Sequence, residues 1–150
     1  MAHIATIDNH FLEKHYTDKL EEKGIMLNHS MVVKLLRMNN DDMKQPFKIE
    51  TSLVTEIGKG LKTWCGYLLS LVLPNVTTIE KGLFSDCVNL MNLSLPNVTM
   101  ISDDSFSNCR GLMLVQLPKL QKIGSNAFFK CENLRSIYLP KASSIHALAF

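Results

Sequence analysis

Hydrophobic residues recur at a fixed interval of 22 residues through the second half of the chain. Four cysteines mark that interval: Cys65, Cys87, Cys109 and Cys131. Six further columns keep the same spacing with no insertion, and their first members are Leu68, Leu71, Leu73, Pro74, Ile79 and Phe84. Self-similarity at one period is the signature of a repeat architecture. The chain from residue 65 onwards is therefore predicted to fold as stacked copies of one unit.

Each unit is predicted to contain a short strand followed by a turn. In Leu71-Val72-Leu73 the residues alternate as in a strand, and Pro74 ends the hydrogen bonding of that strand. Segments such as Asp103-Asp104-Ser105 favour a turn or one helical turn on the return side. One unit is too short to bury its apolar face, so units must stack, with strands about 4.8 Å apart. We predict a short solenoid with a parallel sheet on one side.

The same columns continue one period earlier in a weaker form. Ile49, Val54 and Ile57 fall in apolar columns, whereas Ser52 replaces the proline and Lys62 replaces the phenylalanine. An atypical terminal repeat is typical of solenoids. The predicted solenoid occupies residues 46–150. It comprises a degenerate first rung at 46–64, regular repeats at 65–86, 87–108 and 109–130, and an incomplete repeat at 131–150.

Residues 1–43 follow a helical pattern instead. Apolar residues from Ile7 to Leu20 recur at helical spacing, and Gly24 is a candidate helix stop. A second apolar run, from Met31 to Met38, follows a candidate N-cap at Ser30, and the linker is expected near residues 39–42. Two short helices packed over the first rung would shield its open edge. We predict an N-terminal helical cap at 1–43, with a separate interaction element as the alternative.

The repeat resembles the BspA-type leucine-rich repeat. The fullest matches run from Leu95 to Cys109 and from Leu117 to Cys131, each reading Leu-Pro-x-(Val/Leu)-x-x-Ile and ending in Phe-x-x-Cys. The resemblance covers residues 65–150 well and about 46–64 weakly. It implies an α/β solenoid, a right-handed leucine-rich-repeat superhelix with a parallel β-sheet on its concave face and short turns or helical turns on its convex side. It also implies a role in binding proteins or surfaces, as in adhesins, and no catalytic residues.

The cysteine column has three interpretations. A zinc site needs Cys or His pairs two to four residues apart, and the long intervals between these cysteines offer none. Neighbouring rungs bring the Cα atoms within disulfide reach, but parallel side chains point the wrong way for the disulfide dihedral. A free cysteine is also a small, readily buried apolar residue. We expect a cysteine ladder of four buried, reduced thiols.

Motifs for catalysis or cofactor binding are weak. The five histidines form no pair with a cysteine, and Gly58-Lys59-Gly60 lacks the remaining residues of a phosphate loop. No nucleophile elbow, kinase set or dinucleotide fingerprint occurs. The net charge of +2, from 16 basic and 14 acidic side chains, is too small to argue for nucleic acid or an anionic membrane. We therefore expect no enzyme activity, no cofactor, no metal and no nucleic-acid partner.

Composition favours a cytoplasmic protein. The chain of 150 residues has 46% hydrophobic residues, and its four cysteines are too few for a disulfide-dense secreted scaffold. No apolar run reaches the roughly 18 residues that cross a bilayer, so we expect no membrane insertion. Five acidic residues and no continuous apolar core in the first 25 residues argue against a signal peptide. Surface exposure by a non-standard route is the alternative.

The candidate binding surface is the concave face of the predicted sheet. Because strand side chains alternate, the residues that flank each inward leucine point away from the core. The predicted partner-binding residues are Leu69, Val72, Met91, Met113, Leu114, Gln116, Arg135 and Tyr138. Exposed apolar patches, adaptable methionines and Tyr or Arg anchors favour a protein-binding surface. The alternative is that strand propensity, or side chains leaning into the core, accounts for them.

The sequence thus predicts a non-enzymatic interaction module that binds a protein partner on its concave sheet. Two alternatives remain open: a structural spacer or assembly unit of a larger repeat protein, and a surface adhesion protein. The last rung reaches Phe150, before its cysteine is due, and nothing polar follows to cover its core. We expect end-to-end self-association through this open rung, or a longer array.

Overall fold

Short strands, turns and helices follow one another in rungs in the computed structural model, which describes residues 4–20, 24–39 and 44–150. In chain order the elements are β1 (Ala5–Ile7), α1 (Asn9–His15), α2 (Thr17–Leu20), β2 (Ile25–Leu27), α3 (His29–Met38), β3 (Phe47–Glu50), β4 (Val54–Ile57), a 3-10 helix (Leu61–Tyr67), β5 (Leu68–Val72), β6 (Thr78–Ile79), β7 (Asn92–Ser94), β8 (Met100–Ile101), β9 (Leu114–Gln116), β10 (Lys122–Ile123), β11 (Ser136–Tyr138) and β12 (Ser144–Ile145). None of the helices in these ranges has the length and apolar content needed to cross a membrane.

A parallel sheet of six strands forms one side of the molecule, in the order β1-β3-β5-β7-β9-β11. The 22-residue period sets its register, since Leu71 of β5 pairs with Leu93 of β7 and both side chains point into the core. The proline column follows these strands, where no further ladder donor is needed. This arrangement confirms the predicted solenoid with a parallel sheet on one side.

Two smaller parallel sheets lie on the opposite flank. Two-residue strands form a sheet in the order β12-β10-β8-β6, and the isoleucine column pairs within it, as Ile79 does with Ile101. Strands β2 and β4 form a separate two-stranded sheet. The isoleucines from this flank meet the leucines of the six-stranded sheet in one core.

A stack of phenylalanine rings runs through the core between the sheets. The rings of Phe84, Phe106, Phe128 and Phe150 are nearly parallel, with centroids 5.5–5.7 Å apart. This spacing is within the range of favourable aromatic pairs. Each ring repeats the position of the ring one rung earlier, so the core grows by addition of equivalent side chains.

The turns on the convex side need residues in the left-handed conformation. Two columns have positive φ, between 55° and 66°: Gly82, Asp104 and Asn126 in one, and Asp86, Asn108 and Lys130 in the other. Gly, Asn and Asp tolerate this conformation, because they lack a Cβ or have a short polar side chain. Several of these residues also donate their N–H to the next rung, as Asp104 does to the carbonyl of Ser125 at 2.9 Å. The turns are therefore hydrogen-bonded from rung to rung like the strands.

The N-terminal segment differs from the predicted helical cap because it contains two strands. Ile7, expected in the first helix, lies in β1 and pairs with Ile49, and β2 pairs with β4. These short stretches alternate between buried and more exposed residues, which favours a strand, and β1 satisfies the edge of β3. The linker expected at 39–42 and the boundary at 43 fall mainly outside the described residues.

Helices α1 and α3 form on the predicted apolar runs. The N-cap of α3 is Asn28 instead of Ser30, since the Asn28 side chain accepts a hydrogen bond from the N–H of Met31 at 3.2 Å. Trp64 of the 3-10 helix is buried, and its indole N–H donates to Nδ1 of His29 at 2.9 Å. The N-terminal segment is thus packed and hydrogen-bonded onto the rung that follows it.

The cysteine column contains one disulfide, between Cys65 and Cys87. The expectation of four reduced thiols is therefore wrong for this pair, because stacking of consecutive rungs brings the two Cα atoms to 4.2 Å with both side chains inside the core. Cys109 is free and buried, whereas the free Cys131 is only partly buried, contrary to the expectation of four buried thiols. Each of these thiols donates to a carbonyl one rung back, that of Phe84 or Phe106, at 3.2 Å. Burial raises the pKa of both thiols, that of Cys131 to about 11.

Candidate partner-binding groove

The concave face of the six-stranded sheet carries a groove of about 510 Å³ across β7, β9 and β11. Three of the apolar side chains that line it are large and exposed: Met91, Leu114 and Tyr138 are 58%, 49% and 56% exposed. They come from three consecutive rungs but from three different columns of the repeat, since Leu114 pairs with Ser136 and Tyr138 pairs with Gln116. The groove therefore has an exposed apolar side chain from each of these rungs.

Four of the eight predicted partner-binding residues line this groove together: Met91, Leu114, Gln116 and Tyr138. The other four lie elsewhere. Leu69 and Val72 are half-buried, and Val72 contacts a separate hollow next to the N-terminal segment. Met113 is exposed outside the groove lining, and Arg135 borders a hollow at the last rung. Half of the predicted residues thus share one groove, on the middle and C-terminal strands of the sheet.

Sequence reasoning missed the two prolines on the rim of the groove. Pro96 and Pro118 follow β7 and β9 and contribute to its lining. The signal was present, because each proline of the column comes two residues after an outward-facing strand residue, as Pro96 does after Ser94 and Pro118 after Gln116. A proline also gives an apolar, rigid rim, since its ring fixes the backbone φ.

The floor of the groove is polar but uncharged. Asn92 donates to the Ser70 hydroxyl at 2.9 Å, and that hydroxyl donates to the Glu50 carboxylate at 2.6 Å. This chain of bonds fixes the Asn92 amide at one end of the groove. Among the residues that the structure describes, the Gln116 amide has no hydrogen-bond partner, so its donors and acceptor are available to a ligand. Ser94 lies between these two positions.

The charge of the concave face changes along the sheet. Lys48 and Glu50 lie on β3, whereas no charged side chain lines the groove within the described ranges. Those ranges also hold no cluster of three His, Cys, Asp or Glu side chains placed to bind a metal ion. An apolar wall with amide and hydroxyl groups on the floor suits an uncharged, largely apolar ligand surface.

The comparisons with known proteins concern the repeat region. A family model described as the BspA type leucine rich repeat region matches residues 46–150 in 6 copies. No curated protein matches the chain.

Two solved structures are similar in fold. A leucine rich cell surface protein from Faecalibacterium prausnitzii A2-165 is 25% identical, with a TM-score of 0.63, over 76% of this chain and 32% of that chain. A leucine-rich repeat protein from Bacteroides ovatus ATCC 8483 is 24% identical, with a TM-score of 0.58, over 67% of this chain and 27% of that chain. The matched region thus spans about a third or less of the length of each of these structures.

Proposed function

The chain belongs to the BspA-type leucine-rich repeat family, and we propose that it is a non-enzymatic module that binds a protein partner in the groove of its concave sheet. The observation that supports this proposal is a groove lined by three exposed apolar side chains, Met91, Leu114 and Tyr138. Burying such side chains against a partner is favourable, and tyrosine is a frequent hot-spot residue in interfaces. The uncharged lining favours a partner surface of the same character.

The groove is tested by affinity capture from native lysate with paired variants. The double change Leu114→Ser and Tyr138→Ser removes two of the three exposed, large apolar side chains that line the groove. We expect it to reduce the amount of captured partner about tenfold or more, as loss of hot-spot contacts does. Both side chains are exposed, so thermal unfolding should stay close to that of the wild type.

The matched control changes exposed apolar residues outside the groove, Met100→Ser and Phe129→Ser. This control should capture the same partner as the wild type. Equal capture by the groove variant would contradict the proposal and favour the role of a structural spacer, which needs no particular chemistry on its concave face.

Surface adhesion is a second candidate function. Two observations favour it: the Cys65–Cys87 disulfide, since such bonds persist mainly in oxidising compartments, and the similarity to a protein described as a cell surface protein. A membrane-impermeant amine reagent applied to intact cells tests this location. Labelling of the intact cells supports adhesion, whereas labelling only after lysis supports the cytoplasmic location expected from composition.

A further inference from the structure

On the flank opposite the concave sheet, the hydrogen bonding between consecutive rungs is interrupted at one step. Strands β6, β8, β10 and β12 form one continuous sheet, whereas β4 pairs with β2. Strands β4 and β6 belong to consecutive rungs, yet in the described part of the chain no pairing joins them. Two parallel strand edges therefore face one another across this step.

The regular steps show which bonds belong there. Each rung donates two backbone N–H groups to the rung before it: Thr99 to the carbonyl of Thr77 at 2.8 Å, and Ser102 to the carbonyl of Ile79 at 2.9 Å. The next two steps repeat this pattern at 2.8–3.0 Å. One period earlier, the corresponding donors are the N–H groups of Thr77 and Glu80.

The corresponding acceptors are the carbonyls of Thr55 and Ile57. Within the described residues, the Thr77 and Glu80 N–H groups make no bond to these carbonyls. A cleft of about 760 Å³ lies between the two edges and is lined by both of them. A volume of this size lies within the range of ligand-binding clefts in proteins.

The sequence provides a reason for the gap. Leu61 and Leu83 occupy the same column on the two rungs, and both are buried. Later rungs place small residues in this column, Ser105, Ala127 and Ala149, which are also buried. Two stacked leucines need more room than a leucine over a serine or a serine over an alanine. We expect this bulky pair to act as a wedge that holds the first two rungs apart on this flank, where Leu83 lines the cleft.

We infer that this cleft between β4 and β6 binds an extended segment of a partner protein by β-augmentation. The inserted strand would accept hydrogen bonds from the Thr77 and Glu80 N–H groups and donate to the carbonyls of β4. It would thereby join the two-stranded and four-stranded sheets into one. In this binding mode the main chain supplies affinity and the side chains supply specificity. An open strand edge is a ready template for such pairing.

The charges at the cleft specify a basic segment. The carboxylates of Glu56 and Glu80 line it, against one ammonium group, that of Lys59. Both glutamates are exposed, so they can meet lysine or arginine side chains of the ligand. The cleft lies on the flank opposite the concave groove, so either site can fail in an experiment without affecting the other.

Amide hydrogen exchange measured by NMR tests the open edge first. In the free protein the Thr77 and Glu80 amides should exchange roughly tenfold faster or more than those of Thr99 and Ser102, since each lacks the bond its counterpart makes. Titration with the peptide acetyl-Thr-Lys-Val-Lys-Thr-amide should then slow both amides. Equal exchange of all four amides in the free protein would overturn the inference.

Two controls separate main-chain pairing from charge attraction. N-methylation of the central valine of the peptide removes one donor and should weaken binding about fivefold to tenfold. Glu80→Lys should weaken binding of the lysine peptide and strengthen binding of a peptide with glutamates in place of its lysines. Equal binding of the methylated peptide, or no response to Glu80→Lys, would count against β-augmentation by a basic segment.

Leu83→Ala tests the wedge directly. The substitution puts at residue 83 the same small side chain that Ala127 has in the same column two rungs later. The step should close, so the Thr77 and Glu80 amides should become protected without peptide, and peptide binding should be lost. A folded Leu83→Ala variant that still binds the peptide would show that the wedge does not hold the cleft open. If the Leu83→Ala variant does not fold, the Glu80→Lys variant and the N-methylated peptide still test whether the cleft binds a basic segment by β-augmentation.

Discussion

At the residue scale, the repeat imposes different demands on side chains that occupy equivalent positions. Gly111 stands where other rungs have Asn89 and Asn133, and Asn133 donates to the carbonyl of Arg110 at 2.8 Å. A Cβ atom at residue 111 would lie only 2.8 Å from the carbonyl oxygen of Leu90. Periodicity alone reveals such a column but does not reveal which rung approaches its neighbour too closely for a side chain.

Gly111→Ala should therefore destabilise the protein by about 1–3 kcal/mol, because backbone atoms must move to admit the methyl group. The matched control is Gly66→Ala, since a Cβ there would meet nothing within 4 Å. We expect that control to change the free energy of unfolding by about 0.5 kcal/mol or less. Urea unfolding of both variants provides the measurement, and equal destabilisation would contradict the close approach at residue 111.

The free thiol of Cys131 should make the free energy of unfolding depend on pH. Burial raises its pKa from the ordinary value of 9.0 to about 11. Between these values the unfolded chain loses the thiol proton while the folded chain keeps it, so the free energy of unfolding should fall as pH rises from 9 to 11. The contribution is fully present below pH 9. Other groups titrate in this range, so the comparison is with Cys131→Ala.

Cys131→Ala should show a shallower fall in the free energy of unfolding over that pH range, measured by urea unfolding at several pH values. Identical slopes for the variant and the wild type would mean that the Cys131 thiol ionises as readily in the folded state as in the unfolded state.

At the scale of elements, the 22-residue period was sufficient to predict one strand per regular rung and the register of the large sheet, but not the two-residue strands at the isoleucine column, where turns were expected. It did not predict β1 and β2, because three-residue strands show too little alternation to be separated from the helical spacing that continues into α1. The disulfide was not predicted because parallel stacking was expected for every cysteine, whereas Cys65 lies within the 3-10 helix of the first rung, where the repeat is irregular. The 22-residue period therefore does not predict the structure of segments that depart from the repeat, such as the N-terminal strands and the first rung.

The phenylalanine stack is the element-scale feature with the largest expected energetic effect. Phe106 is buried between the rings of Phe84 and Phe128, so Phe106→Ala should cost about 3–5 kcal/mol. Phe129→Ala is the matched control, because that ring is exposed and should cost about 1 kcal/mol or less. Chemical denaturation of both variants measures the difference. A similar loss of unfolding free energy in the two variants would show that the phenylalanine stack does not stabilise the core.

At the scale of the whole molecule, the solenoid was predictable from the sequence, whereas the extent of the binding surface was not. Eight outward residues share the same pattern, but only the curvature and packing of the rungs bring Met91, Leu114, Gln116 and Tyr138 into one groove. The unpaired step between β4 and β6 was not predicted either, because periodicity does not register the difference in side-chain volume between the buried Leu61 and Leu83 and the small residues of later rungs.

The last rung supports a prediction about assembly of this 150-residue chain. Ile145 and Phe150 occupy core columns but are 50% and 52% exposed. We propose that two copies associate through this face, because burying its apolar side chains is favourable. Sedimentation equilibrium should show association that rises with protein concentration. Ile145→Lys should weaken it, and the neighbouring change His146→Lys should not. A wild-type chain that stays monomeric at all concentrations would contradict this proposal.

The central claim, that a protein partner binds in the concave groove, is tested most directly by site-specific photo-crosslinking. A photoreactive phenylalanine, p-benzoylphenylalanine, replaces Tyr138 in one variant and Met100 on the opposite flank in the other. The account predicts a covalent adduct with the captured partner from position 138 and none from position 100. An adduct from position 100 alone, or equal adducts from both positions, would contradict it.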